Sequence, residues 1–200
     1  MGGFGGTEGL TEWLQHEAIA AVIDATHPFT AVMPWHAEAA CRACGIPRLR
    51  LLREKWRAQA GDDWHLVPHL PAAAQELEAL GARRVFLTTG RQELQPFADL
   101  TDTWFLVRAI ERPDPMPLVQ VETLLSRGPF DLADECALMK SREIDALVTK
   151  NSGGTAAAPK LAAARALGIP VVMVTRPGAP GGDTVSTVDQ ALDWLLRLRA

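Results

Sequence analysis

Short apolar runs alternate along the chain with segments whose apolar residues recur at helical spacing. The apolar runs predict strands at residues 19–25, 48–52, 66–67, 84–88, 104–107, 144–148 and 171–175. Helical spacing predicts helices over residues 8–17, 30–44, 71–80, 93–100, 119–126, 132–142, 161–167 and 189–197. This alternation favours parallel sheets covered by helices on both faces. We therefore predict an α/β chain of two small open units, residues 1–80 and 81–200.

Composition excludes several classes of protein. The 200 residues are 48% hydrophobic and 22% charged, as in ordinary soluble globular proteins, and no apolar run approaches the roughly 18 residues that span a bilayer. A net charge of −4 predicts neither nucleic acid nor membrane as a partner. Three cysteines, an odd number, make no disulfide framework and predict a cytoplasmic location. No metal site is expected from the histidine and cysteine spacing, and the chain is compatible with a monomer.

The segment from Lys150 to Lys160 joins a predicted strand to a predicted helix through a Gly-Gly loop. Backbone amides without an intrahelical partner point out of a helix N-terminus, where the helix dipole adds positive charge. Two of the only four lysines in the chain bracket this loop. The segment is typical of a phosphate or carboxylate site, although a glycine turn with two solvated lysines gives the same pattern.

Basic residues follow most of the other predicted strands. Ligands of open parallel sheets lie beyond the carboxyl ends of the strands, so these strand exits are the candidate site. The exits are residues 26–28, 88–91, Arg108, 150–154 and Arg176. Four of the five carry a basic residue, the fifth carries His27, and no two neighbouring exits carry a pair of carboxylates. This distribution favours binding of an anionic ligand over hydrolysis of a neutral one.

One exit loop has a single interpretation, and two exit residues, Arg108 and His27, have two each. The dinucleotide fingerprint Gly-x-Gly-x-x-Gly is absent, but Thr89-Gly90-Arg91 can form a shorter phosphate loop. Arg108 is then placed for the 2′-phosphate of NADP, although a surface arginine at a strand end fits equally well. His27 would suit proton donation at neutral pH, or it caps the following helix.

Five segments in register resemble one family. They are VIDATHPF at residues 22–29, LTTGR at 87–91, FLVR at 105–108, RGPF at 127–130 and VTKNSGG at 148–154. Together they are similar to the precorrin-6A reductases of cobalamin biosynthesis, including the cobalt-precorrin-6A forms. The resemblance implies two Rossmann-like open parallel-sheet domains and reduction of a double bond of the precorrin macrocycle by NADPH.

The resemblance also implies roles for the strand-exit residues, since the substrate carries many carboxylates that basic side chains would hold. We expect the coenzyme to meet Thr89, Gly90, Arg91 and Arg108. We expect the substrate to meet Thr26, His27, Lys150, Asn151, Ser152, Gly153, Gly154, Lys160 and Arg176, with His27 as the catalytic candidate. The alternative is a non-catalytic α/β module that binds an anionic metabolite or nucleotide.

The beginning of the chain departs from the family pattern. Family members normally begin with a strand, a Gly-Gly-Thr loop and a helix before reaching the Gly-rich segment that stands here at residues 2–6. We therefore expect the N-terminal domain to be incomplete, and we hypothesise that this start lies inside a longer reading frame. An in-frame stop codon immediately upstream of Met1 would contradict that hypothesis.

Overall fold

The computed structural model describes residues 4–198, which contain strands and helices in alternation. The helices are α1 (Gly6–His16), α2 (Met33–Cys44), α3 (Leu70–Leu80), α4 (Leu132–Ser141), α5 (Pro159–Leu167) and α6 (Val188–Arg197). The strands are β1 (Val22–Asp24), β2 (Arg48–Leu51), β3 (Trp64–Val67), β4 (Arg84–Leu87), β5 (Trp104–Ala109), β6 (Gln120–Leu125), β7 (Ala146–Lys150), β8 (Val171–Val174) and β9 (Thr184–Val185). Every paired strand is parallel, which confirms the predicted α/β class.

The smaller of two compact units holds residues 4–54 together with residues 177–198. Its sheet has the order β1-β2-β9, and Asp24 lies opposite Arg50 in the register. Helices α1 and α2 pack through Leu14 and Ala40, while Trp194 of α6 packs with Leu49 of β2. This sheet has three strands among the described residues, half the number in the other unit.

The larger unit, Lys55–Arg176, is built on a six-stranded sheet of order β3-β8-β7-β4-β5-β6. Its central strands are almost wholly inaccessible to water, as the continuous apolar runs predict for a parallel sheet covered on both faces. Phe86, Leu147 and Met173 lie in the core with Leu161 of α5 and Met139 of α4. The sheet is therefore a rigid platform from which its strand exits project.

The division of the chain differs from the predicted boundary at residue 80. Strand β3 pairs with β8 inside the larger sheet, so residues 64–80 belong with the second unit. The chain then returns to the first unit after Arg176, because β9 pairs with β2. Such long-range pairings depend on tertiary contacts and leave no local mark in the sequence.

The predicted helix at residues 119–126 is wrong, because this segment forms β6. Residues from Gln120 to Leu125 pair in continuous register with β5, from Trp104 to Ala109. Pairing with β6 gives hydrogen-bond partners to the backbone N–H and C=O groups on the outer edge of β5. This gain outweighs the weak helical pattern of the segment. The predicted helix at 93–100 is reduced to a single 3-10 turn, Gln95–Phe97, and β9 was not predicted.

The remaining predicted elements are confirmed to within a few residues at their ends. Within residues 4–198, no helix combines the length and the apolar character needed to cross a bilayer.

Candidate functional site

Four of the predicted strand exits come together at the carboxyl edge of the six-stranded sheet. They are residues 88–91 after β4, Arg108 in β5, residues 150–154 at the end of β7 and Arg176 after β8. Because these strands are parallel neighbours, their carboxyl ends lie at one edge. Thr26 and His27 follow β1 and therefore belong to the smaller unit.

The loop from Lys150 to Gly154 is held in shape by its glycines and by Arg176. Gly153 and Gly154 have φ angles of 70° and 85°, in the left-handed region that glycine adopts without strain. The Arg176 guanidinium donates to the carbonyl oxygens of Asn151 at 2.8 Å and of Ser152 at 3.2 Å. Arg176 thus supports the loop through these bonds.

The same loop fixes the segment around Trp56. The Asn151 side chain accepts from the backbone N–H of Trp56 at 2.8 Å and donates to its carbonyl oxygen at 3.0 Å. The Trp56 indole N–H donates to the carbonyl oxygen of Gly154 at 2.8 Å. Asn151 is therefore buried as an anchor for a neighbouring segment, and its contact with the substrate stays a prediction from the sequence.

A first cavity of about 480 Å³ opens at the exits of β4 and β7. Its walls include Thr89, Gly90, Arg91 and Lys150, which the sequence analysis selected. The hydroxyl of Thr89 is buried and has no hydrogen-bond partner among the described residues. The structure thus joins the predicted coenzyme loop to Lys150, which we had placed on the substrate side.

Carboxylates neutralise most of the positive charge in this first cavity. Arg91 pairs with Glu111 at 2.9 Å, and the ammonium of Lys150 pairs with the carboxylate of Glu93. Both acids line the cavity, and Arg127 is the third lining cation. Three positive and two negative side chains leave a small positive excess.

A second cavity of about 730 Å³ lies on the other side of Asn151, at the exits of β3 and β8. Its lining cations are Lys55, Arg57 and Arg176, and no carboxylate lines it within residues 4–198. Trp56, Trp64 and Leu66 supply apolar wall. This cavity is larger than the first, and its described lining residues carry three positive and no negative side chains, against three positive and two negative in the first.

Arg108 is committed to a buried ion pair. Its two terminal nitrogens donate to the two carboxylate oxygens of Glu135 at 3.0 and 2.6 Å. The guanidinium also lies between the rings of Phe86 and Phe130, at 4.7 and 4.0 Å from their centroids. Only 9% of Arg108 is exposed, so this arrangement does not present it to a coenzyme phosphate. Its burial also contradicts the alternative prediction, in which Arg108 is a surface arginine at a strand end.

Lys160 is buried beneath the strand exits, with 6% of its surface exposed. It lies in the first turn of α5 as predicted, but its ammonium donates to the hydroxyl of Thr88 at 2.9 Å. Burial, together with the nearby charge of Arg108, lowers the pKa of Lys160 to about 7, and the carboxylate of Glu135 partly opposes this shift. Lys160 is therefore an internal group of the larger unit.

Thr26 and His27 form a local turn in the smaller unit. The backbone N–H and the hydroxyl of Thr26 both donate to Asp24, at 3.0 and 2.6 Å. The His27 ring accepts from the backbone N–H of Phe29 at 3.3 Å, so it caps a loop rather than the helix that begins at Met33. His27 is solvent-exposed.

The sequence analysis missed the cations and tryptophans of the second cavity. Lys55, Trp56 and Arg57 lie in an irregular segment before β3, outside any strand exit, and so were not considered. The alternation of cations with tryptophan at these positions was the available signal. Hydrogen bonds between Trp56 and the loop after β7 hold this segment at the edge of the sheet.

Comparisons with known proteins agree with this architecture. The profile of the family described as Precorrin-6x reductase CbiJ/CobK matches residues 1–196. A precorrin-6A reductase of Rhodococcus erythropolis is 48% identical over 98% of this chain and 79% of its own length. A cobalt-precorrin-6A reductase of Priestia megaterium is 30% identical over 94% of this chain and 78% of its own length.

A solved structure described as CobK precorrin-6A reductase superimposes with a TM-score of 0.92. It is 41% identical in sequence, and the match covers all of this chain and 79% of that one. The family profile, the relatives and the shared fold favour an enzyme over the non-catalytic module considered above. The chain belongs to the precorrin-6x reductase CbiJ/CobK family of oxidoreductases.

Proposed function

We propose that this chain uses NADPH to reduce a double bond of precorrin-6A or its cobalt form, a step in the biosynthesis of cobalamin. The relatives carry the names of reductases of both macrocycles. The observation that carries the coenzyme part is the first cavity. There Thr89, Gly90, Arg91 and Lys150 meet at the carboxyl edge of a parallel sheet.

The residues of the first cavity fit the phosphate groups of a dinucleotide. The hydroxyl of Thr89, which has no hydrogen-bond partner within residues 4–198, is a donor that a phosphate oxygen would satisfy. Arg91, Arg127 and Lys150 supply positive charge around the same space. The acids Glu93 and Glu111 hold two of these cations in place before a ligand arrives. We therefore assign Lys150 to the coenzyme and withdraw Arg108 from direct contact with it.

NADPH supplies the hydride in this reaction, and the contribution of the protein is positioning and electrostatics. Arg91 and Lys150 would bind and orient the coenzyme phosphates, while Asn151 and Arg176 keep the loop after β7 in one shape. A fixed site accelerates the reaction because the orientation of two bound reactants is settled before the chemical step. Proton donation by His27 remains a prediction from the sequence.

The substitution Lys150→Ala tests this proposal. Loss of a charge-assisted hydrogen bond should weaken NADPH binding about tenfold, equivalent to about 1.4 kcal/mol. The Michaelis constant for NADPH should rise with a smaller change in kcat, as loss of uniform binding requires. NADPH oxidation in the presence of precorrin-6A, followed by absorbance, gives both constants, and NADPH titration gives the affinity.

Two control variants test whether the effect comes from the ammonium group of Lys150 itself. The exposed Lys140 of α4 lines neither cavity, so Lys140→Ala should leave NADPH affinity unchanged. The double variant Lys150→Ala/Glu93→Gln removes the carboxylate that the single variant leaves behind. An unchanged NADPH affinity in Lys150→Ala would remove Lys150 from the coenzyme site, and no oxidation by the unaltered protein would refute the reductase activity.

A further inference from the structure

The second cavity contains cations that have no role in the coenzyme site proposed for the first cavity. Lys55 and Arg57 are exposed residues that flank Trp56 in the segment before β3. Arg176 reaches the same cavity from the exit of β8, where its bonds to two carbonyl oxygens fix its position. Three cations from two elements therefore surround one space.

One wall of this cavity is aromatic and held in place. Both backbone polar groups of Trp56 bond to Asn151, and its indole N–H bonds to Gly154. Trp64 and Leu66 are two residues apart in β3, so their side chains lie on the same face of the strand. Leu66 is 63% exposed, which leaves an apolar surface open inside a cationic cavity.

This combination specifies the chemistry of a ligand. Three cations with no lining carboxylate among the described residues favour a ligand with several negative groups. A fixed tryptophan and an exposed leucine favour a flat unsaturated ring against the wall. A single phosphate would use only part of this charge, whereas a ring bordered by carboxylates would use both the charge and the wall.

We propose that the second cavity binds the carboxylate side chains of the macrocycle through Lys55, Arg57 and Arg176, with the ring edge against Trp56 and Leu66. This assignment rests on the proposed function, since the macrocycle is the substrate named there. It gives the two cavities different ligands, with coenzyme phosphates in the first and substrate carboxylates in the second. The anchor formed by Asn151 keeps Trp56 in position before binding.

The double variant Lys55→Ala/Arg57→Ala tests the assignment. The Michaelis constant for precorrin-6A should rise at least about tenfold, as the loss of charge-assisted bonds predicts, with NADPH affinity unchanged. Uroporphyrin, a flat macrocycle bordered by carboxylates, provides a binding probe that needs no turnover. Its affinity, measured by calorimetry, should fall by a similar factor.

A matched control removes the same charge elsewhere. Arg83 and Lys140 are exposed residues of the larger unit that line neither cavity, so Arg83→Ala/Lys140→Ala should leave both affinities unchanged. An equal loss of uroporphyrin affinity in this control would show a general charge effect and overturn the assignment. Loss of NADPH affinity in Lys55→Ala/Arg57→Ala would also overturn it, because the cavity would then hold the coenzyme.

The measurements distinguish failure of the macrocycle site from failure of the reductase activity. If the unaltered protein oxidises no NADPH, yet its uroporphyrin binding still depends on Lys55 and Arg57, the reductase activity fails and the second cavity stands as a polycarboxylate site. If NADPH is oxidised and neither the Michaelis constant for precorrin-6A nor the uroporphyrin affinity changes in the variant, the reductase stands and this assignment is wrong.

Discussion

The two cavities lie at one edge of the same sheet but hold their charge in different ways. In the first, Glu93 and Glu111 pair with two of the three cations. In the second, three cations share the space with tryptophan and leucine, and no acid lines it within residues 4–198. Pairing with a carboxylate in the wall fixes a cation in one place and reduces its field, whereas a wall with several cations and no described carboxylate raises the local concentration of anions. The first arrangement suits a ligand held at defined points, and the second suits a polyanion.

The largest expected effect concerns Arg108, a strand-exit cation that is paired with the buried Glu135 and lines neither cavity. The substitution Glu135→Ala leaves the buried guanidinium uncompensated and should lower the free energy of unfolding by about 3–5 kcal/mol. The exposed pair of Arg91 with Glu111 provides the control, and Glu111→Ala should cost less than about 1 kcal/mol. Urea unfolding measures both values. Equal costs would show that Arg108 is no more structural than Arg91.

A smaller effect should separate the two cavities through Asn151. The substitution Asn151→Ala removes both hydrogen bonds to the Trp56 backbone and should cost about 2 kcal/mol of stability. Uroporphyrin binding should weaken, while NADPH binding changes little, because Asn151 lines the second cavity only. Ser152, which the sequence placed on the substrate side, lines neither cavity, and its hydroxyl donates to the carbonyl oxygen of Lys150. In the control Ser152→Ala, uroporphyrin binding should therefore persist. A parallel loss of NADPH binding in Asn151→Ala would show that the loop serves both cavities as one site.

The smallest expected effect concerns Lys160, the buried cation near both cavities. Its pKa falls from 10.5 to about 7 on folding, so the unfolded chain binds more protons between these values. The stability penalty is full below pH 7, declines as the pH rises toward 10.5 and is absent above it. Lys160→Met should therefore raise the free energy of unfolding by about 1–2 kcal/mol at pH 6 and by less at pH 9.

Unfolding experiments at the two pH values compare Lys160→Met with Lys140→Met, which alters an exposed lysine. Stabilisation of equal size at both pH values would show that the lowered pKa of Lys160 does not contribute to stability. Stabilisation by the Lys140 substitution would indicate a general effect of net charge.

The sequence could predict those parts of the site that depend on which residues come at the end of each strand. Thr89, Gly90 and Arg91 follow a buried apolar strand and Lys150 ends another, and parallel pairing necessarily brings strand exits to one edge. The same rule could not predict that Arg108 faces Glu135, because α4 packs against the sheet from far along the chain. A basic residue at a strand exit can bind a ligand or an internal acid, and only packing decides between them.

The sequence by itself determined the α/β class, most of the elements and the family, because these depend on periodicity and on local motifs. Tertiary structure alone decided which strands share a sheet. Pairing with β2 places β9 in the first unit, and pairing with β5 makes residues 120–125 a strand. It also brought Lys55, Trp56 and Arg57 to the edge of the larger sheet through Asn151. The physical reason is the same in each case: partners far apart in sequence satisfy backbone and charged groups, and no local pattern specifies which partner that is.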